Sequence, residues 1–390
     1  MQNFFNRYFE TALQLIADYN GLQPLNNFLK TYFSQHKKHG SKDRKLIAHF
    51  CYCYYRLGFA LKNLPNEERL RVAIFLCTDK AGSWLSLYDE NWRQSYVENT
   101  DSRIRFIQSL YPFNVETIFY KNEWLSEEIY QTAFNKSHLV QPDLFIRTRP
   151  SKNDVVISKF HQQNIVFQQI NDYCLAIDNA TKIDTIISLN QEAVIQDYSS
   201  QQIALFFPLI KLSKPITVWD CCAASGGKSM LAYDYFRDIK LTVSDIRESI
   251  IYNLKKRFQQ AGIYQYQSFV ADISSPQFQV KQQYDFVICD APCSGSGTWS
   301  RTPEQLCFFM EEKLAYYTKL QMAIINNAIK GVKQNGYFLY ITCSVFKQEN
   351  EEMVAHILQG NQLDLIKAEL MKGYDKKADT MFAALYTKKN

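Results

Sequence analysis

Two cysteines in the C-terminal half stand where thiol chemistry is to be expected. Cys293 lies in Asp290-Ala291-Pro292-Cys293-Ser294-Gly295, and Cys343 lies in Tyr340-Ile341-Thr342-Cys343-Ser344. Each motif follows an apolar run that reads as a strand, so both thiols are expected to project from the same edge of one sheet. A thiolate is a strong nucleophile, and thiols at strand ends point to covalent chemistry on a bound substrate. A third strand leads into the turn Cys222-Ala223-Ala224-Ser225-Gly226-Gly227-Lys228-Ser229. Its glycines permit positive φ and close approach of the backbone to a ligand.

In an open α/β sheet, ligands bind outside the carboxyl ends of the strands. Asp220, Asp245 and Asp272 are each expected to close a strand at that edge, and Asp290 makes a fourth. An aspartate closing the second strand can accept from both hydroxyls of a ribose. Asp272 is then placed to meet an adenine amino group. Ser225-Gly226-Gly227-Lys228-Ser229 superficially resembles a phosphate-binding P-loop, but Cys222 stands where that motif needs glycine. The dinucleotide G-x-G-x-x-G pattern is absent too. A glycine turn followed by two strand-end aspartates points to an adenosyl cofactor, and S-adenosylmethionine fits best. The expected cofactor-binding residues are Cys222, Ala223, Ala224, Ser225, Gly226, Gly227, Lys228, Asp245, Asp272 and Asp290.

The elements that must position these residues follow from periodicity. Residues 1 to about 135 read as helical. Phe5, Phe9, Ala12, Leu13 and Ile16 mark one apolar face; Leu46, Ile47, Phe50, Cys51, Tyr54 and Leu57 mark another, with Gly58 as its stop. Residues 136 to 205 read as a small mixed α/β unit, with short strands near 143–148, 167–170 and 173–177 and a helix from 158. From 206 to 390, strands at 217–220, 240–245, 269–272, 284–290 and 337–342 alternate with helices, the longest over 311–330, and two more strands follow at 363–370 and 381–387. That alternation predicts an α/β class fold, a doubly wound, largely parallel Rossmann-like sheet, behind an N-terminal helical domain. No internal repeat or low-complexity tract is present.

The bulk numbers agree with a globular chain. Its 390 residues suffice for two or three domains, and 46% of them are hydrophobic and 21% charged. No apolar run approaches the roughly 20 residues a bilayer span needs. The N-terminal segment Met1-Gln2-Asn3-Phe4-Phe5-Asn6-Arg7 lacks a signal-peptide layout, so a cytoplasmic location is expected. The ten cysteines are scattered, as reduced thiols are. Cys51-Tyr52-Cys53 and the Cys221-Cys222 pair lack a zinc-spaced second half, so no metal site is expected. Cys221 and Cys289 read as small buried hydrophobes. The net charge of +5 permits nucleic-acid binding without demanding it. The basic run His36 to Lys45 reads first as a solvated loop, with a phosphate-contacting edge as the alternative.

Asp220-Cys221-Cys222-Ala223-Ala224-Ser225-Gly226-Gly227-Lys228, Asp290-Ala291-Pro292-Cys293-Ser294 and Thr342-Cys343-Ser344 together resemble the RsmB/Sun (Fmu) family of S-adenosylmethionine-dependent RNA cytosine-5 methyltransferases. Gln196 to Gln201, Arg301-Thr302-Pro303-Glu304, Glu349-Asn350-Glu351 and Asp379 to Phe382 resemble further family segments. The resemblance runs from about 190 to 390 and thins upstream, where Lys42 to Ile47 looks like part of a NusB-like helical domain. Ser225 departs from the family's proline and is expected to loosen the turn. Thr380 stands where the family has glycine.

The resemblance implies a mechanism. Cys343 attacks carbon 6 of a cytosine, which makes carbon 5 nucleophilic. Asp290 sits against ring nitrogen 3 and the amino group. Cys293 assists elimination of Cys343, and Lys228 orients the base or lowers a thiol pKa by its charge. The two thiols' roles remain exchangeable, because other cytosine-5 methyltransferases use a Pro-Cys nucleophile. The helices and the small unit are expected to grip structured RNA, with the target base extruded from its stack. Small-subunit (16S) ribosomal RNA is the leading substrate, transfer RNA the second, and a monomer is expected. An exocyclic amino methyltransferase would carry an aromatic ring where Cys293 stands. A non-catalytic ribosome-assembly factor would not need both thiols, Asp290 and the glycine turn.

Overall fold

The alternation of strand runs and amphipathic helices is realised in a computed structural model that describes residues 2–389. Met1, which opens the N-terminal segment read above, and Asn390 lie outside the described residues.

One compact unit takes in the chain up to Glu123, residues 129–141 and residues 298–310. It contains α1 (Gln2–Asp18), α2 (Leu25–Gln35), α3 (Ser41–Arg56), α4 (Asn66–Cys77), α5 (Glu90–Ser95), α6 (Thr100–Leu110) and α7 (Gln131–Ser137). The apolar faces build its core: Phe9, Ala12, Leu15 and Ile16 from α1 meet Ile47, Phe50 and Cys51 of α3. The backbone N–H of Gly40 donates to Asp43 Oδ2 (2.9 Å), which satisfies an otherwise orphaned donor at the start of α3.

The second unit comprises residues 124–128, 142–297 and the chain from Glu311 onward. It opens with a four-stranded sheet in the order β2-β3-β1-β4: β1 (Leu144–Thr148), β2 (Phe167–Gln169), β3 (Cys174–Ile177) and β4 (Ala193–Ile195). The helix α8 (Asn153–Gln162) packs Val156 and Phe160 onto Ile146, Leu175 and Ile177. The strand β4 has no counterpart in the sequence reading, since three residues carry too little periodicity to register. After α9 (Tyr198–Gln202), this layer is pinned to the helix over Gly227–Phe236 by Arg147 and Arg149, which both pair with Asp234 at 2.7 Å. All three side chains are at least nine-tenths buried.

The larger sheet has seven strands in the order β10-β11-β9-β8-β5-β6-β7. These are β5 (Ile216–Asp220), β6 (Ile239–Asp245), β7 (Tyr266–Val270), β8 (Tyr284–Asp290), β9 (Val332–Thr342), β10 (Leu363–Met371) and β11 (Met381–Lys388). β11 runs antiparallel to both neighbours, while β5, β6, β7, β8 and β9 pair in parallel. Helices α10 (Gly227–Phe236), α11 (Glu248–Gln260), α12 (Gln305–Phe308), α13 (Glu311–Ala328) and α14 (Glu351–Gln359) alternate with these strands, and α12 lies in the segment that clusters with the helical unit. From β5 the chain builds outward to β6 and β7, then returns to place β8 on the other side of β5. That reversal opens a crevice at the carboxyl ends of β5 and β8. The doubly wound α/β fold expected from the sequence is therefore the fold observed.

One strand is displaced from its expected position. β7 spans Tyr266–Val270 instead of 269–272, so Asp272 lies in the turn beyond the strand. The cause is local: Asp272 Oδ1 accepts from the backbone N–H (2.9 Å) and hydroxyl (2.6 Å) of Ser274, an aspartate turn that competes with sheet pairing. Among the described residues no helix is long and apolar enough to cross a membrane.

Candidate active site

β5 carries the chain to Asp220, which is fully buried and accepts from Ser229 Oγ in α10 (2.5 Å). Burial pushes its carboxyl up to about 7, against the Ser229 hydrogen bond. The turn follows. Ala223 N–H donates to Ser244 O (2.9 Å) and Gly226 N–H to Ala223 O (2.8 Å). Gly226 takes φ +81°, and a Cβ there would stand 2.6 Å from the Phe258 ring, so no other residue fits without movement. Ser225 does not leave the turn slack, because Arg257 of α11 donates to its carbonyl (3.0 Å) and its hydroxyl (2.9 Å).

Next along the sheet edge, Asp245 closes β6 and is nearly buried. Its Oδ2 accepts from the Ala224 N–H (3.1 Å), which draws the turn toward β6. Arg247 occupies the rest of that carboxylate: its N–H and Nε reach Oδ1 at 3.0 Å, and Nη2 reaches Oδ2 at 3.2 Å. Asp272 is exposed, two residues past β7.

The residues here fit an adenosyl cofactor. A Cβ on Gly227 would meet nothing within 4 Å, so open space faces the start of α10, where backbone N–H groups are unpaired within the helix. A buried carboxylate, Asp245, stands one strand away, with Arg247 across its two oxygens.

On the other side of β5, Asp290 ends β8 and pairs with Lys228 Nζ at 3.0 Å. Lys228 is buried, which opposes its charge, yet Asp290 and Cys343 hold its pKa above the ordinary value. The cysteines close the group. Cys293 Sγ and Cys343 Sγ are 3.6 Å apart. The Cys343 thiol and burial together push Cys293 well up. Lys228, Asp290, Cys293 and Cys343, expected from the sequence, thus converge at one sheet edge.

A buried polar network, which the sequence reading did not assign, holds both thiol-bearing loops. Glu349 accepts from Ser294 N–H (2.9 Å), Ser294 Oγ (2.5 Å) and Gln321 Nε2 (3.0 Å). Burial raises its pKa in spite of these donors. Gln321 also donates to Pro292 O (2.9 Å), next to Cys293. Ser296 Oγ lies 3.1 Å from Ser344 Oγ and accepts from Val345 N–H (2.9 Å), joining the two loops. Asn350 accepts from Thr342 Oγ1 (2.7 Å) and donates to Ser344 O (3.0 Å), bracing the residues on each side of Cys343. Gly297 N–H donates to Cys343 O (2.9 Å), and a Cβ on Gly297 would stand 1.9 Å from Thr380 O. The sequence did hold signals of this network: Glu349-Asn350-Glu351 resembles a family segment, and Gln321 is a polar residue on the apolar side of α13, with Leu314, Ile324 and Ile325.

The 16S rRNA methyltransferase RsmB/F family matches residues 208–388. A probable ribosomal RNA small subunit methyltransferase B of Coxiella burnetii is 26% identical over 227 residues, 56% of this chain and 52% of that protein. The probable counterpart in Bacillus subtilis is 25% identical over 61% of this chain and 54% of its own length. The chain spans about half the length of the curated relatives it matches. Among solved structures, that of PH0851 superposes with a TM-score of 0.68 at 19% identity, covering 98% of each chain. NSun6 from Pyrococcus horikoshii with SFG gives 0.57 at 12% identity, over 70% of this chain and 97% of that one. Both likenesses are of fold.

Proposed function

We propose that this chain, whose residues 208–388 match the 16S rRNA methyltransferase RsmB/F family, methylates carbon 5 of a cytosine in 16S ribosomal RNA. The observation that carries this reading is the 3.6 Å contact between Cys293 and Cys343 beside the Lys228–Asp290 pair. An amino-directed methyltransferase has no use for two thiols in contact, whereas cytosine C5 chemistry needs one to add and one to assist release.

In this reading the Cys343 thiolate adds to carbon 6 of the flipped base, and carbon 5 becomes enamine-like. Asp290 meets ring nitrogen 3 and the amino group, and Lys228 holds Asp290 in place at 3.0 Å. Residues 222–228, with Asp245 and Asp272, would hold S-adenosylmethionine, which would supply the methyl group. The carbon 5 proton passes to a solvent base as the bond from carbon 6 to Cys343 breaks and the thiolate departs. Cys293, kept protonated by its neighbour and its burial, assists that elimination by donating its S–H hydrogen bond to the departing Cys343 sulfur.

Residues 206–390 carry the chemistry, and residues 1–135 and 136–205 hold the RNA around the target. Bisulfite sequencing of total RNA from cells with and without the gene tests the reading. Loss of one 5-methylcytosine from 16S ribosomal RNA is the expected result. Its loss from a transfer RNA instead would reassign the substrate, and no loss anywhere would remove the catalytic reading.

A further inference from the structure

In sequence, the Cys221-Cys222 pair has no second half for a metal site; the sheet supplies one from β8. We propose that Cys221, Cys222 and Cys289 form a binding site for one thiophilic cation of the zinc class, at the base of the cofactor turn. Their three sulfur atoms lie within 4.8 Å of one another. The convergence is built by strand pairing: Cys221 N–H donates to Ile288 O (2.9 Å), which sets the exit of β5 alongside Cys289. Cys222 then turns back at the head of the glycine turn.

The spacing suits the ion. Sulfurs each about 2.3 Å from a tetrahedral zinc lie roughly 3.8 Å apart, so the thiols need to close by about 1 Å at most. Cys221 and Cys289 are buried and Cys222 is half-buried, which leaves an entry path on the Cys222 side. Binding exchanges S–H bonds for S–metal bonds and releases the thiol protons to solvent. Three protein ligands leave a fourth position for water. Taken singly, Cys221 and Cys289 pass for small core hydrophobes. Three soft donors meeting at one point, one of them only half-buried, are a ligand set. An ion there would tie the cofactor turn to the end of β8, next to Asp290.

The test uses reduced, metal-free, full-length protein titrated with Zn2+ against a chromophoric chelator, and with Cd2+ to read thiolate-to-metal charge transfer in the ultraviolet. Wild type and the Cys293→Ala/Cys343→Ala variant are expected to bind about one ion per chain. Cys221→Ser and Cys289→Ser should each weaken binding by about tenfold or more. Absence of Zn2+ binding to wild type in that competition overturns the site. So does binding that survives Cys221→Ser/Cys289→Ser and disappears in Cys293→Ala/Cys343→Ala. If the double serine variant loses its fold by circular dichroism, the single variants decide. No arm reads methyl transfer, so failure of the RNA reading leaves this outcome unaffected.

Discussion

Cys293 Sγ and Cys343 Sγ touch, at 3.6 Å, although 50 residues separate them in the chain. Two thiols in contact resist ionising together, because the second thiolate would face the first at short range. Cys293 is the one pushed up, and Lys228 interacts electrostatically with Cys343. The pair is therefore set for one nucleophile and one proton-bearing partner. Cys343→Ala should abolish methyl transfer. Cys293→Ala should slow turnover by about 10²- to 10⁴-fold and leave a protein–RNA adduct that survives a denaturing gel. An adduct in Cys343→Ala and none in Cys293→Ala would exchange the two roles.

Glu349 supports that geometry from behind. Its two oxygens take three donors from Ser294 and Gln321, and it has no exposure. Glu349→Gln swaps one acceptor oxygen for an N–H that would face a donor. Such a buried mismatch costs about 1–3 kcal/mol, read as a lower midpoint in chemical denaturation. The Cys293 loop also loses its anchor, so the adduct trapped by Cys293→Ala should become scarcer in the Glu349→Gln background. Unchanged stability together with unchanged trapping would show that the network holds nothing.

Asp245 is the expected ribose carboxylate, yet Arg247 already spans both its oxygens. A diol must replace those donors to bind in the same way. Arg247 is 59% exposed, so its pairing is weak, about 0.2–1 kcal/mol. Arg247→Ala should tighten S-adenosylhomocysteine binding by roughly 1.4- to fivefold, the same energy expressed as a ratio. Calorimetric titration checks this, and weaker binding in the variant would mean that Arg247 helps hold the cofactor.

The parts of the site legible in the sequence are those whose signal is local. Gly226, Asp290, Cys293 and Cys343 each sit in a short motif at the end of a strongly apolar strand, and strand ends share an edge in this class of sheet. What was not legible depends on pairs distant in sequence. Gln321 and Glu349 acquire roles only when α13 is laid across β8 and β9. The meeting of Cys289 with Cys221 depends on the β5–β8 pairing across 68 residues. Phe269-Val270-Ala271-Asp272 reads as a strand in sequence, whereas the aspartate turn to Ser274 ends the strand at Val270. Arg257 bracing Ser225 likewise could not be foreseen from the missing proline alone.

Asp220 gives a pH dependence with a defined sign. Burial raises its carboxyl from 3.8 to about 7 in the folded chain. The folded state therefore holds the proton through a range where the unfolded chain has released it. The stability Asp220 contributes is fully present below about pH 4 and is lost as pH rises toward about 7. The span of about three units caps the loss at about 4 kcal/mol, at 1.36 kcal/mol per unit. Asp220→Asn keeps an acceptor for Ser229 and has nothing to ionise. Its stability should be flatter than wild type between pH 4 and 7, and equal or greater at pH 8, in urea denaturation across that range. A wild-type curve that rises over this window relative to Asp220→Asn would mean that Asp220 is ionised in the fold and stabilised there, with Lys228 as the nearby cation.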